Sequence, residues 1–233
     1  MMKRFWLAAP VLALIAGLGL WAAQTPSVPG QTLLPGMAAL ADTTTAPATT
    51  DAAPATAAIT FPDMVLGNAA AKVTLMEYAS FTCPHCAHFH EEVFKSVKRD
   101  YIDTGKVRFV FREVYFDRYG LWASMMARCG GETRYFGIAA MLFEGQREWA
   151  GSDDPNTVIG NLRRIGKTAG MDDAALDTCL QDAATAQALL TNYETHAAED
   201  KVEGTPTLFI DGVKYSNMAY EDLKALLDTA LAK

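Results

Sequence analysis

The chain has 233 residues, of which 50% are hydrophobic, and its formal net charge is -7. This length and apolar content suffice for one hydrophobic core with an inserted subdomain, and they exclude an intrinsically disordered protein. The 20 lysine and arginine residues are scattered, with no basic run longer than Arg163-Arg164, so no nucleic acid partner is expected.

The N-terminus has the features of an export signal. Lys3 and Arg4 precede an uncharged apolar run over residues 5–20, which is shorter than the stretch of about 20 residues that spans a bilayer. We predict a signal peptide over residues 1–23, with an open cleavage point because a better small-residue site, Ala39-Leu40-Ala41, lies downstream. The expected location is the periplasm, with residual anchoring to the inner membrane as an alternative.

A segment of low complexity follows the signal. Residues 24–58 consist mainly of alanine, threonine, proline and glycine. Such a segment has too few apolar side chains to offset the entropy lost on ordering it. We therefore predict a flexible tether over residues 24–58 and a folded domain over residues 59–233.

The folded domain opens with a predicted strand, helix and strand. Residues 73–78 form a short apolar run typical of a buried strand, and residues 107–111 alternate as a second strand would. After Cys83, apolar side chains recur at helical spacing, and Gly105 is suited to end that helix. The apolar positions of this predicted helix are Cys86, Phe89, Val93, Val97 and Tyr101.

Helical patterns alone fill the middle of the chain. Asp154, followed by a proline, and Asp172 each precede an apolar pattern of helical period and are predicted to cap helices. One further helix face is predicted from Trp122, Met125, Met126 and Cys129. We interpret residues 117–199 as a helical insertion.

A hairpin and a last helix end the chain. Two β-prone runs, residues 207–210 and 213–215, flank Asp211-Gly212, which is a strong signal for a two-residue turn. The final helix is predicted from Tyr220, Leu223, Leu226, Leu227 and Leu231. The predicted fold is an α/β fold with a mixed sheet that a helical subdomain interrupts.

A dithiol motif, Cys83-Pro84-His85-Cys86, stands where the first strand gives way to its helix. The unpaired N–H groups and the positive dipole end of a helix stabilise an anion, so Cys83 is predicted to ionise easily and to act as the nucleophile. Cys86, one turn further on, is positioned to resolve a mixed disulfide. Pro84 fixes the backbone entering the helix, and His85 is expected to place its imidazole near the sulfur.

The sequence around this motif resembles the DsbA family of thioredoxin-fold proteins. The resemblance covers residues 61–233 and is carried by three stretches, Glu77-Tyr78-Ala79-Ser80-Phe81-Thr82-Cys83-Pro84-His85-Cys86, Phe89-His90-Glu91 and Gly204-Thr205-Pro206-Thr207. It implies a thioredoxin-like sheet with a helical insertion, and a cis proline, Pro206, facing the dithiol. It also implies that substrate binds beside Thr205 and Pro206, and that Glu77 is a buried acid that helps to move protons.

The resemblance implies a periplasmic enzyme that donates disulfides to unfolded exported proteins. A DsbB-like, quinone-linked membrane oxidase would reoxidise it, and the enzyme is expected to be a monomer without a cofactor. Thr205 departs from the valine of the best-known oxidases, whereas several isomerases and reductases have threonine there. A disulfide reductase or isomerase is therefore an alternative, although such isomerases carry a dimerisation domain that the predicted tether cannot form.

Two further readings of the cysteines concern metal binding and structure. Cys83 and Cys86, with His88 or His90, could form part of a Cu(I) or Zn(II) site, as in a metallochaperone. Cys129 and Cys179 lie on apolar faces of different predicted helices, and we predict a structural disulfide between them, with two inert buried thiols as the alternative. Four aromatic residues of the insertion are expected to line its core or a groove, namely Tyr135, Phe136, Phe143 and Trp149.

Overall fold

A five-stranded mixed sheet organises the computed structural model, which describes residues 61–233. Its strands are β1 (Met64–Leu66), β2 (Val73–Ala79), β3 (Val107–Glu113), β4 (Thr207–Ile210) and β5 (Val213–Ser216), in the order β1-β3-β2-β4-β5. The central strands β2 and β3 are parallel, and the other pairs are antiparallel. The mixed sheet is therefore confirmed, while the predicted signal peptide (1–23) and tether (24–58) lie outside the described residues.

The helix after the dithiol, α1, is continuous over residues 84–102 but is not regular. Its segments are α-helical at Pro84–Phe89, π-helical at His90–Phe94, α-helical at Lys95–Val97 and π-helical at Lys98–Ile102. The apolar positions predicted from a regular period are all buried. The wider π-helical turns add neighbouring residues to the buried face, which the regular period did not predict. The added residues are His90, Phe94 and Ile102.

The predicted insertion is a subdomain of six helices between β3 and β4. They are α2 (Arg118–Cys129), α3 (Glu132–Glu144), α4 (Gln146–Ala150), α5 (Pro155–Thr168), α6 (Asp173–Leu180) and α7 (Ala183–Glu199). Asp154 and Asp172 accept hydrogen bonds from backbone N–H groups at the starts of α5 and α6, as predicted. Of the four aromatic residues expected in the core or a groove, Tyr135, Phe143 and Trp149 are buried and Phe136 is half-buried.

The C-terminal hairpin and helix match their predictions. Asp211 and Gly212 both have positive φ angles, 48° and 83°, as the two-residue turn between right-twisted strands requires. The last helix, α8, spans Tyr220–Leu231. Strand β1 was not predicted, because three residues carry no readable period and this strand depends on pairing with β3.

The main hydrophobic core joins the sheet to the helical subdomain. Sheet residues such as Leu75 and Phe111 belong to the same buried cluster as Met126 of α2 and Leu142 of α3. A smaller cluster on the other face of the sheet contains Tyr78, Val114 and Phe209. Within residues 61–233, no helix is long and apolar enough to cross a membrane.

Candidate active site

Cys83 is placed at the start of α1 by the way that β2 ends. After Ala79 the chain turns, and Cys83 takes an extended conformation as the N-cap, with Pro84 as the first helical residue. The Cys83 carbonyl oxygen accepts hydrogen bonds from the N–H groups of Cys86 and Ala87, both at 3.1 Å. The junction of strand and helix predicted from the sequence therefore holds the first sulfur at a helix N-terminus.

The surroundings of Cys83 lower its pKa to about 5. The largest cause is a hydrogen bond from the Cys86 thiol, which stabilises the thiolate. Burial opposes this effect, while the Thr205 hydroxyl and the backbone N–H groups of Cys86 and His85 add to it. Cys83 is therefore an anion at neutral pH, as a nucleophile and a good leaving group require.

Cys86 has the opposite character. It is fully buried, and its pKa is raised well above that of an ordinary thiol. Burial is the largest cause, followed by the hydrogen bond with Cys83 and the negative charge of Glu77. The two sulfurs are not bonded to each other in this structure. The reduced pair therefore consists of a thiolate at the helix start, which is 8% exposed, and a neutral thiol that is fully buried.

His85 is exposed at the start of α1 and is related to Cys83 through its backbone. Both Pro84 and His85 are exposed, and His85 is among the leading causes of the low Cys83 pKa through its backbone N–H group. The imidazole is not among these causes. The second thiol and the helix N-terminus hold the Cys83 thiolate, and an effect of the His85 imidazole stays a prediction.

A cis peptide bond joins Thr205 to Pro206, as the resemblance implied. The Cys83 sulfur lies 3.6 Å from the Thr205 carbonyl oxygen. The Thr205 hydroxyl is buried and forms no regular hydrogen bond with the described residues, yet it lowers the pKa of both cysteines and so lies beside the sulfurs. A cleft of about 560 Å³ opens next to this turn, between residues 203–207 and strand β5.

Glu77 is fully buried on β2 and is hydrogen-bonded to His90, with 2.9 Å between its Oε2 atom and the His90 Nε2 atom. The His90 ring is stacked on Phe143, with 4.0 Å between the ring centroids. Glu77 was found through the resemblance, but its pairing with His90 was not predicted. The available signal was that His90 lies four residues after Cys86 and so shares its helix face.

The two histidines considered as metal ligands are arranged differently. The His90 ring is hydrogen-bonded to the buried carboxyl group of Glu77, and His88 is exposed on α1. Within residues 61–233, no three or more His, Cys, Asp or Glu side chains are grouped so that they could hold a metal ion.

Gln146 is a buried contact to the dithiol loop that the sequence did not reveal. Its side-chain Nε2 atom donates hydrogen bonds to the carbonyl oxygens of Phe81, at 2.8 Å, and Cys83, at 3.0 Å. It belongs to α4, so the helical subdomain directly fixes the backbone that carries the reactive sulfur. A single glutamine after a glycine has no pattern from which this contact could be predicted.

The second cysteine pair lies in the helical subdomain. Cys129, the last residue of α2, is disulfide-bonded to Cys179 of α6, with 6.1 Å between the Cα atoms. This is an ordinary Cα separation for a disulfide. The bond links two helices that are 50 residues apart in sequence.

Comparisons with known proteins agree with this arrangement. The sequence profile of the Thioredoxin family matches residues 60–229. A Rickettsia bellii protein named for protein-disulfide oxidoreductase activity is 33% identical over 170 residues, which are 72% of this chain and 64% of that protein. Disulfide bond formation protein D of Bacillus subtilis is 25% identical over 178 residues, covering 72% of this chain and 76% of that protein.

The fold is also shared with solved structures. The crystal structure of Wolbachia pipientis alpha-DsbA1 is similar with a TM-score of 0.68 and 26% sequence identity, covering 73% of this chain and 91% of that chain. The present chain spans less than two thirds of the length of the Rickettsia relative. Residues 60–229, which the Thioredoxin family profile matches, contain the sheet, the helical subdomain and the dithiol.

Proposed function

Because this chain belongs to the DsbA family of thioredoxin-fold proteins, we propose that it is a thiol:disulfide oxidoreductase that donates the Cys83–Cys86 disulfide to exported, folding proteins. The observation that carries the proposal is the contrast between the two sulfurs. Cys83 has a pKa of about 5, whereas the pKa of the buried Cys86 is raised. This contrast makes Cys83 the sulfur that forms the mixed disulfide with substrate and Cys86 the sulfur that takes up a proton.

The reaction begins with the oxidised pair. A substrate thiolate attacks the Cys83 sulfur, the bond between Cys83 and Cys86 breaks, and its electron pair passes to Cys86, which takes up a proton. A second substrate thiolate then attacks the substrate sulfur of the mixed disulfide. The substrate disulfide forms, and Cys83 leaves as the stabilised thiolate. The substrate loses two electrons, and the enzyme dithiol carries them.

The direction of transfer follows from the stability of the reduced form. Every interaction that holds Cys83 as a thiolate stabilises the dithiol relative to the disulfide, because a disulfide has no charge to stabilise. The Cys86 thiol and the N–H groups of the helix start are such interactions. They make the oxidised enzyme a stronger oxidant.

Substrate is proposed to bind in extended form beside Thr205 and Pro206. The cleft there reaches β5, an edge strand of the sheet, whose free backbone groups suit pairing with a peptide. Recognition through main-chain hydrogen bonds would suit unfolded proteins of many sequences. A DsbB-like, quinone-linked membrane oxidase is the proposed partner for reoxidation, with a monomeric enzyme acting in the periplasm.

A disulfide reductase or isomerase is the second candidate, and one observation favours it. The Thr205 hydroxyl lies beside both sulfurs and lowers the pKa of each. A hydroxyl at this position adds a hydrogen-bond donor that the valine of the best-known oxidases lacks, so the redox potential can differ from theirs.

Equilibration in glutathione buffers tests the two candidates. The oxidase proposal predicts a potential closer to about -120 mV, the value of DsbA itself, than to about -270 mV, that of thioredoxin. A value near that of thioredoxin would contradict disulfide donation and favour the reductase. Cys83→Ser serves as the control for the thiol that is titrated.

A further inference from the structure

A buried acid, Glu77, and a buried histidine, His90, accompany the buried thiol of Cys86. Cys86 and His90 are four residues apart on α1 and both face inward. Glu77 lies on β2, is fully buried, and is among the groups that raise the pKa of Cys86. A thiol, a carboxyl group and an imidazole are thus brought together in the interior of the protein.

Only one of the two oxygen atoms of the Glu77 carboxyl group has a hydrogen-bond partner among the described residues. Its Oε2 atom is hydrogen-bonded to the Nε2 atom of His90. Its Oε1 atom is buried and has no hydrogen-bond partner among the described residues. A buried oxygen without a partner is costly and calls for an explanation, of which a chemical role is one. This oxygen is available to give a proton to a neighbouring sulfur or to take one from it.

His90 connects this carboxyl group to a cavity. Its ring borders a cavity of about 110 Å³ between α1 and α3, lined mainly by apolar side chains. Glu91, Lys95 and Lys98 of α1 and Glu144 of α3 are the charged residues of its lining, and Lys95 and Glu144 form an exposed salt bridge of 3.0 Å. The neighbours from β1 and β3 are apolar, namely Leu66 and Phe111. His90 therefore lies between Glu77 and a cavity that is bordered by charged side chains.

Resting on the proposed function, we infer that His90 is a positioning residue that supplies Glu77 with the proton that Cys86 takes up when the enzyme disulfide opens. It holds the carboxyl group by one hydrogen bond and restores its proton from the side of the cavity. The proposed reaction thereby gains a proton path that does not cross the substrate cleft.

The proton balance of this step is complete. When a substrate thiolate attacks Cys83, the electron pair of the broken disulfide makes Cys86 a thiolate in an apolar site. Glu77 gives its proton to Cys86, His90 gives its proton to Glu77, and His90 is reprotonated from water at the cavity. During reoxidation the proton of Cys86 leaves along the same path in reverse.

A purely structural role would require of residue 90 only that it donates a hydrogen bond. If His90 only satisfied a buried carboxyl group, another side chain with an N–H donor would serve equally well. Glutamine can donate a hydrogen bond but cannot take up and release a proton at neutral pH. The variant His90→Gln therefore separates the two roles.

Single-turnover kinetics of the full-length oxidised protein with a dithiol peptide provide the test. His90→Gln is expected to slow the reduction of the enzyme disulfide at pH 7 by at least about tenfold, the lower range of general acid–base effects. It should leave alkylation of Cys83 in the reduced protein unchanged, which also shows that the variant folds. His88→Gln, an exposed histidine on the same helix, is the matched control and should react as the wild type does.

A double-variant cycle asks whether His90 acts through Glu77. Glu77→Gln alone should slow the same step, and adding His90→Gln should slow it no further. The wild-type reaction should also slow in D₂O, a measurement that needs no variant. A wild-type rate for His90→Gln, independent effects of the two substitutions, or an unchanged rate in D₂O would each overturn the inference.

The same data separate this inference from the function on which it rests. A wild-type protein that fails to oxidise the peptide contradicts the proposed function. A wild-type protein that oxidises it, together with an equally fast His90→Gln variant, contradicts only the role of His90.

Discussion

The two cysteine pairs of this protein lie in contrasting surroundings, since Cys83 and Cys86 belong to the buried core and Cys129 and Cys179 are partly buried. Cys83 and Cys86 are three positions apart at a helix start and are unbonded in this structure beside a cis proline, whereas Cys129 and Cys179 form a disulfide between α2 and α6. Both pairs have sulfurs within bonding reach of each other. The neighbours of a sulfur, rather than the presence of a second thiol, therefore determine whether a pair is suited to disulfide exchange.

Hydrogen-bond partners account for this difference. Cys83 is surrounded by donors, namely the Cys86 thiol, the Thr205 hydroxyl and backbone N–H groups, all of which favour a thiolate. Each pair also has a carbonyl oxygen nearby, since the Cys83 sulfur lies 3.6 Å from that of Thr205 and the Cys129 sulfur lies 3.9 Å from that of Ala175. An acceptor stabilises no thiolate, so it is the donors around Cys83 that favour the reduced form of the first pair.

The largest expected effect comes from removing the reactive sulfur of Cys83. Cys83→Ser removes the sulfur that forms the mixed disulfide, and we expect oxidation of a dithiol peptide to fall by at least about a thousandfold. The pair Cys129→Ala and Cys179→Ala should keep most of this activity in the same assay. Comparable losses in both proteins would mean that the two pairs work together.

The second effect tests the structural pair by stability. Removing the Cys129–Cys179 bond frees a loop of 50 residues, and the folded state is expected to lose up to about 4 kcal/mol in the chain-entropy model. Urea unfolding of the double alanine variant, with Cys83 and Cys86 oxidised in both proteins, measures this loss. An unchanged unfolding midpoint and slope would contradict a structural role for the bond.

Stability as a function of pH tests the reactive pair alone. Because the Cys83 pKa is lowered to about 5, its thiolate stabilises the folded dithiol. This contribution is fully present above the pKa of the unfolded thiol, is about 2 kcal/mol at pH 7 after allowance for solvent screening, and is lost as the pH falls through 5. Cys86, whose pKa is raised, remains neutral and adds no such dependence.

The measurement compares urea unfolding of the reduced protein from pH 4 to pH 8 with that of Cys83→Ser. The wild type should lose stability relative to the variant as the pH falls through 5, since only the wild type carries the thiolate. Parallel curves would show that Cys83 is an ordinary thiol, and the proposed direction of disulfide transfer would lose its basis.

The features that the sequence predicted correctly depend on residues close together in the chain. Alternation and helical spacing predicted β2, α1 and β3, and the turn residues Asp211 and Gly212 predicted the hairpin, because these signals report local backbone preferences. The position of Cys83 at a strand-to-helix junction followed from the same patterns.

The features that were missed depend on distant parts of the chain. Strand β1 exists through its pairing with β3, and the π-helical turns that bury His90 form where α1 packs on the sheet and on α3. Gln146 reaches the dithiol loop from 63 residues away. A period read along a single sequence contains no information about such partners, so only the resemblance could supply Glu77 and Pro206.

The smallest expected effect is a slight rise of the Cys83 pKa toward that of an ordinary thiol. Thr205→Val replaces a hydroxyl that lowers the Cys83 pKa by a group of similar shape without a donor. We expect the Cys83 pKa to rise by no more than about one unit, the effect of one modest hydrogen bond, because the Cys86 thiol and the helix start remain. The rate of Cys83 alkylation as a function of pH measures the shift. A much larger rise would mean that Thr205, rather than Cys86, is the main support of the thiolate, and no shift would leave its buried hydroxyl without a redox role.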